Sequence, residues 1–346
     1  MLRPLRVVAI GGGTGLSTLL KGLKHYVLHA PYTGESKPAH SVVVIDELTA
    51  IVTVTDDGGS SGRLRREFGI LPPGDIRNCI VALSEDEALM SRLFRYRFPG
   101  ESGESALEGH NFGNLFLCAL TEVTGDFAEA VRLSSEILAT RGHIYPATTA
   151  NCELEALMDD HTRVRGETKI TASKRRIVRL QMIPPDVAPM QQTLDAIANA
   201  DLITIGPGSL FTSLIPNVLV KGIPQAIARS QALKVYVCNL MTQCNESLGY
   251  TASEHIKAIY DHAGERIFDA ALLNTAQISD ALKAKYALEG ASQILVDESD
   301  VQALGVKPIL GNFLFEENGV ARHSYTQVAE ELMRLTTSKM LTAVSA

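Results

Sequence analysis

The chain has 346 residues, 45% of them hydrophobic and 21% charged, enough for a large α/β domain with a substantial core. A net charge of −7, aromatics at only 5% and the absence of Trp argue against a base-stacking nucleic-acid binder or a protein drawn to anionic membrane. Cys79, Cys118, Cys152, Cys238 and Cys244 form no CxxC pair, no stretch reaches roughly 18 uninterrupted apolar residues, and the amino terminus lacks a signal-peptide pattern, so a cytoplasmic protein without structural disulfides is expected.

Residues 5–10, LRVVAI, read as a strand that ends at Gly11-Gly12-Gly13-Thr14-Gly15. Leu16, Leu19, Leu20 and Leu23 then share one helical face. Strand, glycine turn and helix together cradle phosphate, because main-chain N–H groups and the helix N-terminus face the anion. The named fingerprints do not fit. Leu16 stands where GxGxxG needs its last glycine, and no Gly-Lys-Ser/Thr follows, which disfavours a dehydrogenase and a P-loop ATPase. Residues 26–47 contain Pro31, Gly34 and Pro38 and read as a surface excursion. Their last apolar piece, SVVVID, is a strand running beside or into the next one.

Residues 50–83 carry the densest chemistry. A strand over 51–55 breaks into Asp56-Asp57-Gly58-Gly59-Ser60-Ser61-Gly62, read as an ordered functional loop. Carboxylates at a strand's C-terminal edge lie where open α/β sheets bind ligands. Arg63, Arg65 and Arg66 form a local basic run suited to a small anion, and Pro72-Pro73-Gly74-Asp75 puts Asp75 at a helix N-cap. Residues 76–83 and 87–94 read as helices and 101–108 as loop. Gly109-His110-Asn111-Phe112-Gly113-Asn114 opens an apolar helix, at whose start amide side chains can face a ligand. Residues 126–138 form an amphipathic helix.

From 141 to 186 the pattern changes to short strands joined by polar turns, a small antiparallel insertion within one domain spanning 1–346. Lys174, Arg175, Arg176 and Arg179 read as a solvated strand face, with a partner surface as the sharper alternative. After a helix over 187–200, the strand DLITI ends in Gly206-Pro207-Gly208-Ser209, a second strand–glycine turn–helix unit, and Pro216 is expected to end or kink its helix. Two such turns in one sheet make a phosphate crevice more credible than either alone. The strand VYVCNL, a capping box at Thr251 and Glu254, a strand over 268–273, a helix from Asp280, and a last amphipathic helix over 326–335 complete the pass.

Together, GGGTGLSTLLKGLK, VTVTDDGGSSGRLRREFGILPPGDIRN, GHNFGNLFL, IGPGSLFTSLIPN, VCNLMTQ with YTASEHI, and the late RHS resemble the YvcK family of bacterial gluconeogenesis factors, relatives of the 2-phospho-L-lactate transferase CofD. The likeness spans residues 5–335. It implies a CofD-like α/β fold with a Rossmann-type, mainly parallel sheet flanked by helices. It also implies binding of a nucleotide sugar, with UDP-N-acetylglucosamine favoured, and a regulatory influence on cell shape and envelope synthesis during gluconeogenic growth. No reaction is established for that branch. The late tyrosine and arginine that support UDP-sugar binding in the family match Tyr286 and Arg322. Two departures stand out: a longer 26–47 region, and Cys-Asn-Glu-Ser after MTQ where Pro-Gly-Glu is common.

On the regulatory reading, Gly11, Gly12, Gly13, Thr14, Gly15, Gly58, Gly59, Ser60, Gly206, Gly208 and Ser209 surround the diphosphate. Asp56 or Asp57 binds ribose hydroxyls, Asn78 and Asn114 orient polar groups, and Arg322 pairs with phosphate. A protein partner of unset identity is expected, with the basic strand and the 26–47 excursion as candidate surfaces, and a homo-oligomer is compatible with it. The alternative is a CofD-like transferase moving a phosphate-linked group to an acceptor hydroxyl. Asp56 and Asp57 would then hold Mg²⁺, and His110 is a weak candidate base.

Overall fold

The computed structural model describes residues 3–28, 44–84, 89–100, 105–173, 175–244 and 246–344. Its strands are β1 Leu5–Gly11, β2 Ile45–Val52, β3 His143–Pro146, β4 Glu153–Met158, β5 Arg163–Arg165, β6 Ile177–Ile183, β7 Leu202–Ile205, β8 Leu233–Val237, β9 Ala270–Asn274, β10 Lys307–Gly311, β11 Leu314–Glu317 and β12 Val320–His323. The helices are α1 Gly13–Leu23, α2 Gly59–Phe68, α3 Gly74–Leu83, α4 Leu89–Arg95, α5 Phe112–Thr124, α6 Phe127–Ile137, α7 Glu167–Ala172, α8 Gln191–Asn199, α9 Ile215–Leu219, α10 Ile223–Arg229, α11 Ala252–Ala263, α12 Asp280–Leu288, α13 Glu298–Ala303 and α14 Tyr325–Val344.

Seven strands form a parallel sheet in the order β10-β9-β8-β7-β1-β2-β3. Successive residues of β1 point to opposite faces and both faces are covered. Val7 and Ala9 join the core built with α1, α3 and α14, while Val8 and Ile10 join the core on the other side. That two-sided burial is why β1 reads as a continuous apolar run. The strand order reverses between β1 and β7, so a crevice opens beyond their carboxyl ends.

The antiparallel sheet β5-β4-β6 lies within the 141–186 stretch, but β3 pairs in parallel with β2 and belongs to the main sheet. Leu154, Ala156, Leu180 and Met182 on one face of the small sheet are buried in the same core as Ile203 and Ile205. Two links fasten it to the segment after β2. Asp57 accepts from the Thr168 main-chain N–H at 2.8 Å and its hydroxyl at 2.5 Å, and Arg65 donates to Asn151 Oδ1 at 2.7 Å and Cys152 O at 2.5 Å.

Residues 41–43 of SVVVID lie outside the described residues, and the rest runs into the next strand, one of the two arrangements expected. Several other expectations are corrected. β2 stops at Val52, leaving residues 53–55 past the sheet edge. The segment expected as a long loop becomes helical at Gly59. The helix after β7 opens as a π-helix, Leu210–Leu214, and changes to α9 beside Pro216, where an end or kink is expected. Asp75 is not an N-cap, because that position is Pro73 and Asp75 lies inside the first turn of α3. Most of the 26–47 excursion, residues 29–43, lies outside the described residues, as does Lys174. The remaining basic-strand arginines are engaged internally. Arg175 pairs with Asp160 at 3.3 Å, Arg176 lies 5.2 Å from the Tyr250 ring centre, and Arg179 donates to Asp261 O.

The two glycine turns meet in van der Waals contact. A Cβ on Gly15 would lie 2.2 Å from Pro207 O, a backbone clash that no rotamer change relieves. A Cβ on Gly11 would meet only side-chain carbons at an ordinary 3.5 Å. Gly15→Ala is therefore expected to lower the unfolding free energy by about 2 kcal/mol, the scale of overpacking, with Gly11→Ala nearly neutral. Urea denaturation of both variants checks this. Equal midpoints would mean that the turns do not touch.

Candidate functional site

Beyond the carboxyl ends of β1, β7 and β8 lies an open cleft of about 650 Å³, within the size range of small-molecule sites. One wall is the first glycine turn. Gly13 adopts φ +61° as the chain leaves β1, and α1 begins with no side-chain cap and no acidic residue in its first turn. Gly13 N donates to the Asp75 carboxyl, and the following N–H groups of the turn suit an anion. Gly12 is needed for a different reason: a Cβ there would lie 2.7 Å from Asp75 Oδ2 and from Thr53 Cγ2. The second turn, after β7, bends at Gly206 with φ +85°. Asn239 locks it with two bonds, accepting from Gly208 N at 3.0 Å and donating to Gly208 O at 2.7 Å.

The opposite wall comes from the loop after β8, from α12 and from β12. Leu240, Met241, Ile278 and Leu282 form a small separate apolar cluster against which Tyr286 and Ala321 pack. The Tyr286 hydroxyl accepts from Ala321 N at 3.1 Å, which ties α12 to β12 and brings the exposed Arg322 to the rim. Gln243 crosses the cleft and donates to Ser209 Oγ at 2.8 Å. His323 Nε2 is 3.0 Å from Cys238 O, and burial pushes the ring down to about 4. It is therefore neutral at physiological pH and donates that hydrogen bond.

Besides Glu289, which follows α12, four carboxyls line the cleft: Asp56, Asp75, Glu167 and Glu246. Burial raises these four. Asp75 reaches about 6, its charge opposed by burial and by Asp56 despite a hydrogen bond from Gly13 N. Glu167, contributed by α7 of the insertion, is lifted well above the usual range by burial and then by Asp56, Asp75 and Glu246. Glu246 accepts from Thr212 Oγ1 at 3.1 Å and so fixes the Cys-Asn-Glu-Ser loop to the start of the helix after β7. Among the described residues no three His, Cys, Asp or Glu stand close enough to hold a metal ion by themselves.

Of the expected residues, Gly12, Gly13, Thr14 and Gly15 line this cleft with Asp56, Gly208, Ser209, Tyr286 and Arg322. The others support it or lie elsewhere. Gly11 is the last residue of β1, and its carbonyl accepts from Thr53 N and Asn217 Nδ2. Gly206 turns the chain beneath the second loop. Asp57 faces Thr168 of the insertion, and Gly58 N donates to Asp56 Oδ1. Gly59 opens α2, while Ser60 is buried with its hydroxyl 3.0 Å from His110 Nδ1, which gives that histidine a structural partner. Asn114 is buried in α5, and Asn78 lies in a separate pocket. The basic run does not reach the cleft: Arg63 donates to Glu108 O, and Arg65 is spent on the insertion.

Asp75, Glu167, Asn239, Gln243 and Glu246 are the cleft residues that sequence reasoning missed. The PPGD break did point to Asp75, but a capping role absorbed the signal. Nothing in the local sequence of α7 ties Glu167 to a turn more than a hundred residues earlier.

Residues 7–314 match the family model described as 2-phospho-L-lactate transferase CofD. The gluconeogenesis factor of Halalkalibacterium halodurans is 46% identical over 332 residues, covering 96% of this chain and 97% of that protein. The gluconeogenesis factor of Bacillus subtilis is 44% identical over 330 residues, covering 95% and 98%. A crystal structure of a Bacillus halodurans protein superposes with a TM-score of 0.87 at 47% identity, covering 96% of this chain and all of that one. The same organism's protein in a second crystal structure, described as a member of the UPF0052 family, gives 0.85. Full-length similarity at this level, on the same seven-stranded parallel sheet, makes this chain a member of the CofD family, in the branch whose proteins are named gluconeogenesis factor.

Proposed function

We propose that the cleft binds a nucleotide sugar of the UDP-N-acetylglucosamine type and that the protein is a cytoplasmic regulator. Its ligand state would inform envelope synthesis and cell shape during growth on gluconeogenic carbon. The observation that carries this reading is the meeting of two glycine turns at the strand-order reversal, with Tyr286 and Arg322 across the same cleft. Uncapped amides suit the diphosphate, and the cleft is long enough in lining residues to take a base and a sugar on either side of it. Arg322 is the one Lys or Arg lining it and makes no ion pair among the described residues, so its guanidinium is available to a phosphate. The names of the relatives support the metabolic setting. Among the described residues no single helix is long and apolar enough to cross a membrane, which agrees with the cytoplasmic reading.

A second reading, a CofD-like transferase, has its own support in the carboxyls. Four acids with raised proton affinity in one cleft favour a cation or protons as company. Mg²⁺ commonly uses one or two carboxylates and completes its shell with substrate phosphates and water. Asp56 and Asp75 fit that demand. Asp57, committed to Thr168, does not. Mg²⁺ bound there would neutralise charge on a donor's phosphates. The chain's own part would be to hold the donor on the glycine turns and keep Asp75 close to them.

Calorimetry with UDP-N-acetylglucosamine tests the first reading. Saturable heat is expected for the wild type, with affinity about tenfold weaker in Arg322→Ala, the worth of one charge-assisted bond. Absence of heat at millimolar ligand, from folded protein, removes it. The transferase reading predicts product from a nucleotide donor that requires Mg²⁺ and disappears in Asp56→Asn. A donor and acceptor screen without product sinks it. Asp75 gives a third expectation. Its folded pKa is raised to about 6, so the folded state holds the proton more tightly and stability falls as pH rises from about 4 through 6. Asp75→Asn should then stabilise the ligand-free protein at pH 7.5 by on the order of 2 kcal/mol, with the gain vanishing near pH 4. Urea titrations at the two pH values measure it.

A further inference from the structure

We infer that a second pocket, between α1, α3 and the end of α4, is an anion site that takes a small phosphate monoester. This pocket of about 260 Å³ shares no lining residue with the cleft. Its polar lining is Ser17, Lys21, Arg77, Asn78 and Arg95, with no carboxylate among the described residues of its walls.

Arg77 is the centre of it. The aliphatic stem is pressed against the start of α5, where a Cβ on Gly113 would lie 2.9 Å from its Cγ and Cδ. The guanidinium has only a neutral acceptor in the structure, Asn78 Oδ1 at 2.5 Å from Nη2. Its Nε is buried without a hydrogen-bond partner. A charged donor without an acceptor is costly, and among the described residues the guanidinium meets no carboxylate at hydrogen-bond distance. Because Asn78 Oδ1 is already occupied by Arg77, the amide's remaining polar group is its NH₂ donor. Lys21 adds an ammonium from α1 that makes no ion pair among the described residues.

Burial and the neighbouring Arg97 lower Arg77 to about 10, against the opposing charge of Asp75. An anion would relieve that. Donors arriving from two helices suit a tetrahedral dianion, and an arginine fork adds paired bonds to phosphate oxygens. The volume is well under half that of the cleft and is too small for a nucleotide sugar, leaving room for a phosphate on a short carbon chain. The pocket's helices are the same two whose first turns carry Gly13, Thr14 and Asp75 to the cleft.

Calorimetric titration of the full chain with inorganic phosphate and with glycerol 3-phosphate tests the assignment. Both are expected to bind saturably, glycerol 3-phosphate more tightly if the physiological ligand is an ester and not free phosphate. Lys21→Glu and Arg77→Met should each weaken binding by about tenfold or more, while Arg322→Ala in the cleft leaves it unchanged. Lys21 is exposed, so Lys21→Glu decides the matter even if Arg77→Met does not fold. Unsaturable binding, affinity unaltered in Lys21→Glu, or loss in Arg322→Ala with retention in Lys21→Glu would each overturn the proposal. The last result would put the phosphate in the cleft. Failure of UDP-N-acetylglucosamine to bind leaves this outcome independent, because the two sites share no residue.

Discussion

The constraint on which the cleft depends is the contact of two main chains, Gly15 against the carbonyl of Pro207. Nothing larger than hydrogen fits between them. The contact exists because β1 and β7 are adjacent strands whose following helices leave toward different faces of the sheet. Their turns are therefore forced together at the point of divergence. Asn239 and Asn217 supply side-chain bonds to the carbonyls and N–H that the turns leave unpaired. With the main chain so fixed, the uncapped end of α1 faces a cleft instead of bulk solvent, which is what gives its amides a use.

The cleft is lined by main-chain amides of the glycine turns, by carboxyls of which Asp75 touches those amides, and by Arg322. The carboxyls come from four separate segments, and their burial together raises each one's hold on its proton. A ligand that only presented negative charge would meet repulsion there. Sugar hydroxyls, which can donate to these carboxyls, or a cation accompanying phosphates, would not. Both readings of the function depend on that acidic zone, and they differ in which of the two fills it.

The small antiparallel sheet contributes to the site and is not merely attached to the fold. Asp57, adjacent to Asp56, holds the first turn of α7, and α7 in turn carries Glu167 into the cleft. The two neighbouring aspartates thus divide the work: one faces the ligand space and the other sets the position of the insertion that closes it. Gly166 makes this possible, since a Cβ there would lie 2.6 Å from Asp57 Oδ2. Arg77, in the second pocket behind α1 and α3, is near enough to Asp75 for each charge to favour the other.

Much of the fold was legible in the residues. Apolar runs ending in glycine marked β1 and β7, the leucines of α1 marked its buried face, and Thr251 with Glu254 forms the capping box that their spacing suggests. These are local signals, set by backbone conformation and by periodicity within a few residues. Of the residues singled out by motif and resemblance, Gly12, Gly13, Thr14, Gly15, Asp56, Gly208, Ser209, Tyr286 and Arg322 line one cleft, while Gly11, Gly58, Gly59 and Gly206 do not. What the sequence could not decide was direction and company. Asp56 and Asp57 are chemically identical neighbours, and only the packing of Thr168 from a distant helix turns one away. Asn78, in the middle of α3, faces a different pocket, and Asn114, in the first turn of α5, is buried. Asp75, Glu167 and Glu246 meet only because three chain segments far apart in sequence are brought to one edge of the sheet. The raised proton affinity that marks them is a property of that shared burial, absent from any of them alone.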